Sequence, residues 1–186
     1  MTFDGGMQRG VTVWLTGLSG AGKSTAACWL ATAIRQQEIP TILLDGDVLR
    51  SGLSADLGFD EASRAESVRR AGEVALLGTA HGFVSIVSLV SPNRGPRELV
   101  RKRHESQRMT FMEVYVSTPL VVCEDRDPKD LYARARAGEV TQMTGIHQAY
   151  EPPVDPELTL PTHELSIDAC GQILLDAVMA TISVTA

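Results

Sequence analysis

The residues GLSGAGKS at positions 17–24 match GxxxxGK[ST], a pattern in which a glycine-rich loop holds the phosphates of a nucleotide. The match directly follows an apolar, β-branched run, VTVWLT, and opens an Ala-rich stretch that favours a helix. Glycines let backbone N–H groups turn toward phosphates, Lys23 can reach the β- and γ-phosphates, and Ser24 can ligate Mg²⁺. We predict binding of Mg·ATP by Gly17, Leu18, Ser19, Gly20, Ala21, Gly22, Lys23, Ser24 and Thr25.

Two carboxylates, Asp45 and Asp47, follow a second apolar run at residues 41–44. They would lie at the carboxyl end of a strand, the edge of an open α/β sheet where ligands bind. We predict that one of them, preferably Asp47, orients or deprotonates an attacking hydroxyl, while the other holds Mg²⁺ through water or caps a helix. Asp47 is also placed with Ser24 among the metal ligands. A plain Asp-Gly turn is the alternative, but a turn does not need the second acid.

Seven basic side chains are candidates for gripping anionic groups, since Arg suits bidentate contact with phosphate or sulfate. They are Arg50, Arg64, Arg69, Arg70, Arg94, Arg97 and Lys129. Taken singly, each is more typical of a solvated surface charge, and Arg69 or Arg70 is expected to pair with Glu66 or Glu73 on a helix. The four histidines show no metal-ligand spacing and receive no role.

Several function classes are disfavoured by what the sequence lacks. It has no guanine-reading NKxD string and no strand ending in the paired acids of a motor ATPase, so a kinase is favoured. The net charge of −6 argues against nucleic acid as a partner. No apolar stretch approaches the length of a membrane span. The three cysteines lie far apart, which is typical of buried thiols in a reducing compartment, and we predict a cytoplasmic location.

The elements that must position these residues alternate along the chain. Strands are predicted at residues 11–16, 41–44, 83–90 and 111–116 and helices at residues 23–37, 61–79, 94–108, 129–137 and, by helical spacing, about 167–182. The Pro-rich residues 150–161 are predicted to be an ordered connection. This alternation implies one α/β domain over residues 1–186, of three-layer α/β/α P-loop NTPase type, with a mostly parallel sheet.

Taken together, several strings of the chain resemble the adenylylsulfate kinase family, from about Arg9 to Glu157. They are WLTGLSGAGKST (14–25), LDGD (44–47), GLSADLGF (52–59), SPNR (91–94), CEDRDPKDLY (123–132), ARAGE (135–139), TGI (144–146) and YEPP (150–153). The resemblance implies an ATP-dependent kinase of the ribose 3′-hydroxyl of adenylyl sulfate, active in sulfate activation. It also implies association into a homodimer.

The resemblance implies a substrate pocket lined by Asp45, Phe59, Arg64, Lys129 and Thr144, with Asp47 near the reacting hydroxyl. Arg50, Ser67, Arg94, Leu131 and Met143 complete the predicted substrate-binding set. Ser91 matches a family serine proposed to form a phosphoserine, and we include it among the catalytic candidates with Lys23 and Asp47. Because in-line transfer needs positioning and charge neutralisation rather than a protein nucleophile, we expect Ser91 to hydrogen-bond the substrate instead.

The chain departs from the family pattern on the predicted acceptor side, where Val48 and Ser67 replace Asn, and Met143 replaces a Phe that stacks on adenine. Asn93, Asp130 and His147 are the other departures. Adenylyl sulfate remains the preferred acceptor, because Met can cover a base and Ser67 retains a hydroxyl. One alternative is a kinase repurposed for another nucleotide-like or specialised-metabolite hydroxyl. The other is a nucleotide-binding regulator without turnover, which the retained Lys23, Asp47 and Lys129 disfavour.

Overall fold

In the computed structural model, which describes residues 10–184, five strands form a single parallel sheet in the order β2-β3-β1-β4-β5. The strands are β1 (Val11–Thr16), β2 (Thr41–Asp45), β3 (Val84–Ser88), β4 (Thr110–Val116) and β5 (Leu158–Leu160). All residues of the two central strands β1 and β3 are buried, as expected of parallel strands covered on both faces. The predicted three-layer α/β fold is confirmed.

Seven helices connect or follow the strands in the described part of the chain. They are α1 (Lys23–Arg35), α2 (Gly46–Arg50), α3 (Glu61–Ala80), α4 (Arg94–Ser106), α5 (Leu120–Arg126), α6 (Leu131–Arg136) and α7 (Ile167–Val184). Helices α1 and α7 pack together on one face of the sheet, and α3 and α4 pack together on the other. Among residues 10–184, no helix has the length and the apolar character that crossing a membrane requires.

The packing of α1 on α7 depends on a glycine. A Cβ atom at Gly171 would lie 2.1 Å from the side chain of Trp29, so any larger residue would push the two helices apart. The indole Nε1 of Trp29 donates a 2.9 Å hydrogen bond to Asp168 on the same face of α7. This contact fixes the start of α7, which carries residues of the cleft described below.

Three short elements were not predicted: α2, α5 and β5. With five, seven and three residues, they are too short to show a hydrophobic period, and β5 lies inside the predicted Pro-rich connection. The prediction of buried cysteines is right for Cys123 and Cys170 but wrong for Cys28, which lies on the solvent side of α1. Parts of the predicted domain, residues 1–9 and 185–186, lie outside the described residues, as does the start of the resemblance at Arg9.

Candidate active site

A cleft of about 940 Å³ opens at the carboxyl ends of the strands. The loops after β1, β2 and β3 form one part of its wall, and the segment from α5 to residue 144 forms another. The start of α7 and the loop before it complete the lining. This is the edge at which open α/β sheets bind ligands.

The predicted phosphate loop forms one end of this cleft. Six of its nine predicted residues line the cleft, namely Ser19, Gly20, Gly22, Lys23, Ser24 and Thr25. Gly22 precedes α1 with a φ of 98°, a left-handed conformation that glycine adopts without strain and that turns the chain into the helix. Gly17, Leu18 and Ala21 do not line the cleft, and they shape the loop beneath it.

The ammonium group of Lys23 lies at the base of the loop, where its Nζ donates a 2.7 Å hydrogen bond to the carbonyl of Leu18. The side chain is largely buried, with 8% of its surface exposed. Burial lowers the pKa of Lys23 from 10.5 to about 8, because the charged form loses its hydration, and Asp45 and Asp47 only partly offset this effect. A phosphate group bound nearby would restore the charged form.

The carboxylate of Asp45 joins the phosphate loop to the end of β2. Its Oδ2 accepts a 2.6 Å hydrogen bond from Ser24 Oγ, and its Oδ1 accepts one of 3.0 Å from the backbone N–H of Asp47. Asp45 is therefore the N-cap of α2, which confirms that one of the two acids caps a helix. The hydroxyl of Ser24 beside a carboxylate is a set of hard oxygen ligands that fits Mg²⁺. Within the described residues no larger cluster of acidic or metal-ligating side chains forms.

Asp47 faces the opposite side of the cleft rather than Ser24. Its Oδ2 accepts a hydrogen bond from Nζ of Lys129, which lies just before α6. Both side chains remain at least half exposed, and both line the cleft. The structure thus brings together two predicted site residues from distant parts of the sequence and leaves the Asp47 carboxylate accessible to a ligand.

Phe59 is an exposed aromatic ring at the mouth of the cleft, close to two guanidinium groups. The Cζ atoms of Arg50 and Arg64 lie 4.1 and 5.6 Å from the ring centroid. Arg50 also donates to the carbonyl of Gly58 at 3.1 Å, and Arg64 to that of Phe59 at 2.8 Å. An exposed ring can stack on a base, and the two cations beside it can attract an anionic group.

The wall beside Phe59 carries Ser67, Leu131, Met143 and Thr144, all of which line the cleft as predicted. The Oγ1 of Thr144 is buried and has no hydrogen-bond partner among the described residues. The Oγ of Ser67 donates a long bond of 3.4 Å to Ser54. Buried hydroxyl groups are normally satisfied, so an unpaired one in a cleft wall is a candidate contact for a ligand.

Ser91 lies at the cleft floor, 4% exposed, with a left-handed φ of 38°. Its Oγ accepts a 3.1 Å bond from Trp14 Nε1 and is 3.0 Å from Thr16 Oγ1. A non-glycine residue in this conformation costs about 1–3 kcal/mol and must be held by its surroundings. The hydroxyl is committed to protein partners, which fits a structural or binding role better than a nucleophile.

Several predicted anion-binding residues do not reach the cleft. The guanidinium of Arg94 donates to the carbonyl of Pro152 at 3.0 Å, and Arg69 and Arg70 both pair with Glu66, as expected for a helix surface. Arg97 is buried in an ion pair below the cleft. The presence of a basic residue in the sequence thus does not show which edge of the sheet its side chain will face.

The sequence suggests that all departures from the family pattern lie on the acceptor side of the cleft, but in the structure only some of them do. Ser67 and Met143 line the cleft, whereas Val48, Asn93, Asp130 and His147 do not. Val48 is 68% exposed, and Asn93 donates to Glu61 at 3.0 Å. The expectation of a broadly altered acceptor side is therefore reduced to two positions.

Sequence reasoning missed a group of cleft residues on the side of the phosphate loop. The lining residues are Arg126, Pro128, Thr162, Leu165, Ile167 and Cys170. The Nη2 of Arg126 donates to the carbonyl of Thr162 at 2.9 Å, and Thr162 Oγ1 donates to that of Ala21. The only available signal was the position of Arg126 and Pro128 within the family-like string at residues 123–132. Nothing in the sequence shows that the start of α7 returns to the loop.

Comparisons of the sequence with known proteins find relatives over most of the chain. The sequence model of the adenylylsulphate kinase family matches residues 9–161. An adenylyl-sulfate kinase of Enterobacter sp. (strain 638) is 49% identical over 166 residues, which are 89% of this chain and 82% of that protein.

Solved structures give the same answer. The structure of the Mycobacterium tuberculosis APS kinase CysC in complex with AMPPNP and APS has a TM-score of 0.88 at 47% identity, covering 92% of this chain and 98% of that one. A hexameric APS kinase from Thiobacillus denitrificans has a TM-score of 0.69 at 34% identity, covering 94% of this chain but 29% of that one. The residues matched by the family model include the phosphate loop, both acids and the lining segment up to residue 144.

Proposed function

This chain belongs to the adenylylsulfate kinase family, and we propose that it transfers the γ-phosphate of ATP to the 3′-hydroxyl of adenylyl sulfate within the described cleft. The observation that carries this proposal is the convergence of Lys23, Asp45, Asp47 and Lys129 on one cleft. A kinase that is 47% identical to this chain shares its fold at a TM-score of 0.88, and its structure was solved in complex with AMPPNP and APS. The product would be the 3′-phosphorylated adenylyl sulfate and ADP.

The ATP side of the reaction rests on the phosphate loop. Backbone N–H groups of residues 19–24 and the dipole of α1 favour the phosphates, and Lys23 lies where it can reach the β- and γ-phosphoryl oxygens. Ser24 and Asp45 are the residues that would hold Mg²⁺, with Asp47 as the further candidate named from the sequence. When bound, the ion neutralises charge on the phosphates.

Asp47 serves the acceptor side. Its carboxylate can accept a hydrogen bond from the 3′-hydroxyl and then the proton, as the hydroxyl oxygen forms its bond to the γ-phosphorus. The bond from that phosphorus to the β–γ bridging oxygen breaks, and the electron pair leaves with ADP. Lys129 holds Asp47 in the free protein and places a positive charge beside the transferred group.

Recognition of the acceptor nucleotide is assigned to the wall around Phe59. The ring and the apolar surface of Met143 can cover a base, while Arg50 and Arg64 provide cations for the sulfate or phosphate. Thr144, Ser67 and Leu131 complete this wall. Ser91 contributes by shaping the cleft floor.

Association of two copies and a cytoplasmic location remain proposals of the same kind. The first is what the family resemblance implies, and a related kinase described as hexameric supports self-association in general. The second is supported by the cysteines, which are free thiols in the described residues.

A kinase for another hydroxyl is the alternative that the two altered wall residues, Ser67 and Met143, keep open. The test is to compare ADP release with adenylyl sulfate and with its 3′-deoxy analogue, at equal ATP. Rapid release with the first and none with the second would support the proposal. Equal release with both, or release only with another hydroxyl compound, would contradict it.

A further inference from the structure

Arg97 on α4 is the most deeply buried charged residue described, with 2% of its surface exposed, and it does not line the cleft. Each of its three guanidinium nitrogens has an acceptor. Nε donates to Glu113 Oε1 at 2.7 Å, Nη1 to the carbonyl of Ser91 at 2.6 Å and Nη2 to the carbonyl of Glu151 at 2.7 Å. Burying a cation this completely is costly unless it is paired and hydrogen-bonded, and Arg97 has both a carboxylate partner and two carbonyl acceptors.

The two carbonyls belong to different segments of the chain, one in the cleft floor and one beyond the acceptor wall. Ser91 lies in the loop after β3, where residues 88–92 line the floor. Glu151 does not itself line the cleft; it lies further along the chain from Met143 and Thr144, which belong to the wall assigned to the acceptor. A single planar guanidinium thus ties the cleft floor to the segment that continues from the acceptor wall.

Further contacts join the same two segments and show that they meet tightly. The N–H of Glu151 donates to the carbonyl of Pro92 at 2.9 Å, and the N–H of Arg94 donates to Glu151 Oε2 at 2.6 Å. Tyr150 also contacts the end of β1, with its Oη 2.9 Å from Thr16 Oγ1. Arg97 lies behind this junction, with its Cζ 5.8 Å from the centroid of the Tyr150 ring.

The phosphate loop is held by other groups. Thr118 Oγ1 donates to the carbonyl of Ala21 at 3.0 Å, and Arg126 binds the carbonyls of Gly20 and Thr162. None of these contacts involves α4. Loss of Arg97 should therefore disturb the acceptor wall and leave the ATP end of the cleft in place.

We propose that Arg97 is a positioning residue for the acceptor side: it fixes the carbonyls of Ser91 and Glu151, and so the spacing of the cleft floor and the Met143–Thr144 wall. The inference rests on the proposed function for its substrate. Arg97 would join residues 89–94 to residues 149–153 whichever acceptor is used.

The experiment compares Arg97→Met and Arg97→Lys with Arg101→Met. Arg101 lies one turn further along α4 and pairs with Glu157 at 2.6 Å and with Glu113 at 3.5 Å. It shares the ion network of Arg97, but none of its described bonds reaches Ser91 or Glu151, so it is a matched control for lost charge. A lysine at position 97 retains the positive charge, but its single nitrogen cannot reproduce the fork of the guanidinium.

Steady-state kinetics provide the first readout. For Arg97→Met we expect kcat/KM for adenylyl sulfate to fall about ten- to a hundred-fold, as is typical when charge-assisted hydrogen bonds are lost, with the Kd for ATP within about twofold of wild type. For Arg97→Lys, kcat/KM for adenylyl sulfate should lie between the values for Arg97→Met and wild type. For Arg101→Met it should remain near wild type. Two results would show a merely structural role and overturn the proposal. One is that kcat/KM for adenylyl sulfate and the affinity for ATP fall equally; the other is that the Arg97 and Arg101 variants lose kcat/KM equally.

Hydrogen exchange provides a readout that does not require turnover. In Arg97→Lys, and in Arg97→Met if it folds, exchange should rise in peptides covering residues 89–94 and 149–153 and stay unchanged in the phosphate loop. Unchanged exchange at both segments would overturn the inference. Wild-type protein that fails to turn over adenylyl sulfate would contradict the proposed function, whereas the exchange result would still decide the role of Arg97.

Discussion

The hydroxyl of Ser24 donates a 2.6 Å hydrogen bond to the carboxylate of Asp45, so the phosphate loop and the end of β2 meet at one pair of oxygen ligands. The same carboxylate accepts from the N–H of Asp47 at 3.0 Å and caps α2. One side chain therefore organises both the candidate metal site and the position of the candidate base.

Replacement of Asp45 tests this double role. Asp45→Ala should lower kcat/KM by about a hundredfold or more, because transfer depends on the charge and the position of these oxygens. Asp60→Ala is the matched control, because Asp60 caps α3 in the same way, with a 2.9 Å bond from the N–H of Ser63, but does not line the cleft. Each change should cost about 1 kcal/mol of unfolding free energy. Similar turnover in the two variants would remove Asp45 from the chemistry.

Asp47→Asn removes the proposed proton acceptor while retaining its size. We expect kcat to fall by about 10²–10⁴, the usual contribution of general base catalysis, with little change in the Kd for ATP. Asp130→Asn, which changes an acid next to Lys129 outside the cleft, should leave kcat within about twofold. Steady-state ADP release gives kcat, and a binding titration gives the Kd for ATP. Wild-type rates for Asp47→Asn would exclude Asp47 as the base.

The pKa of Lys23, lowered to about 8 by burial, predicts how ATP binding responds to pH. The charged amine favours the phosphates, so affinity should be constant below pH 8 and should weaken above it, approaching about tenfold per pH unit. Calorimetric titrations from pH 7 to 9.5 in two buffers should also show proton uptake on binding at high pH. Lys23→Met should bind ATP weakly with no such dependence, whereas Lys102→Met, a surface change on α4, should behave as wild type. A flat profile in the wild-type protein would contradict the assignment.

Met143→Phe tests which wall binds the acceptor base. An aromatic side chain stacks on a base more strongly than Met covers it, so KM for adenylyl sulfate should fall, by about fivefold if stacking contributes about 1 kcal/mol more. Val48→Asn also restores a family residue, but Val48 is 68% exposed and does not line the cleft, so KM should not change. If KM for adenylyl sulfate responded to Val48→Asn and not to Met143→Phe, the acceptor wall would be wrongly placed.

His104 predicts a loss of stability in mild acid. Its ring is fully buried, with Nε2 2.9 Å from Thr12 Oγ1, and burial lowers its pKa below 6.5. The unfolded chain therefore binds more protons than the folded protein between the two pKa values, and the unfolding free energy should fall as the pH drops from about 6.5 through the folded pKa. Urea unfolding from pH 5 to 7.5 measures this slope. The slope should diminish in His104→Gln and persist in His81→Gln, which changes an exposed histidine. An unchanged slope in His104→Gln would refute the assignment of the acid effect to His104.

The ATP half of the site was accessible from the sequence because its residues are contiguous. The phosphate loop, its strand and its helix lie within residues 11–35, and local patterns determine all three. Asp45 and Asp47 were also found, since they follow a recognisable strand. What local pattern did not show is which acid faces Ser24.

The acceptor half depends on contacts between distant segments. Arg97 could be identified as a basic residue on a helix, but its burial against Glu113, Ser91 and Glu151 follows from the packing of α4 on β4 and on residues 150–152. Arg94, one turn earlier, points away from the cleft for the same reason. Sequence spacing gives the face of a helix, whereas the tertiary packing decides what that face meets.

The most direct test of the central claim is to mix the purified protein with Mg·ATP and adenylyl sulfate at micromolar concentrations and to measure ADP release together with the mass of the nucleotide product. The account predicts a product heavier by one phosphoryl group, formed at a catalytic rate in step with ADP. ATP binding without any such product would contradict it and would mean that the wall around Ser67 and Met143 serves another acceptor.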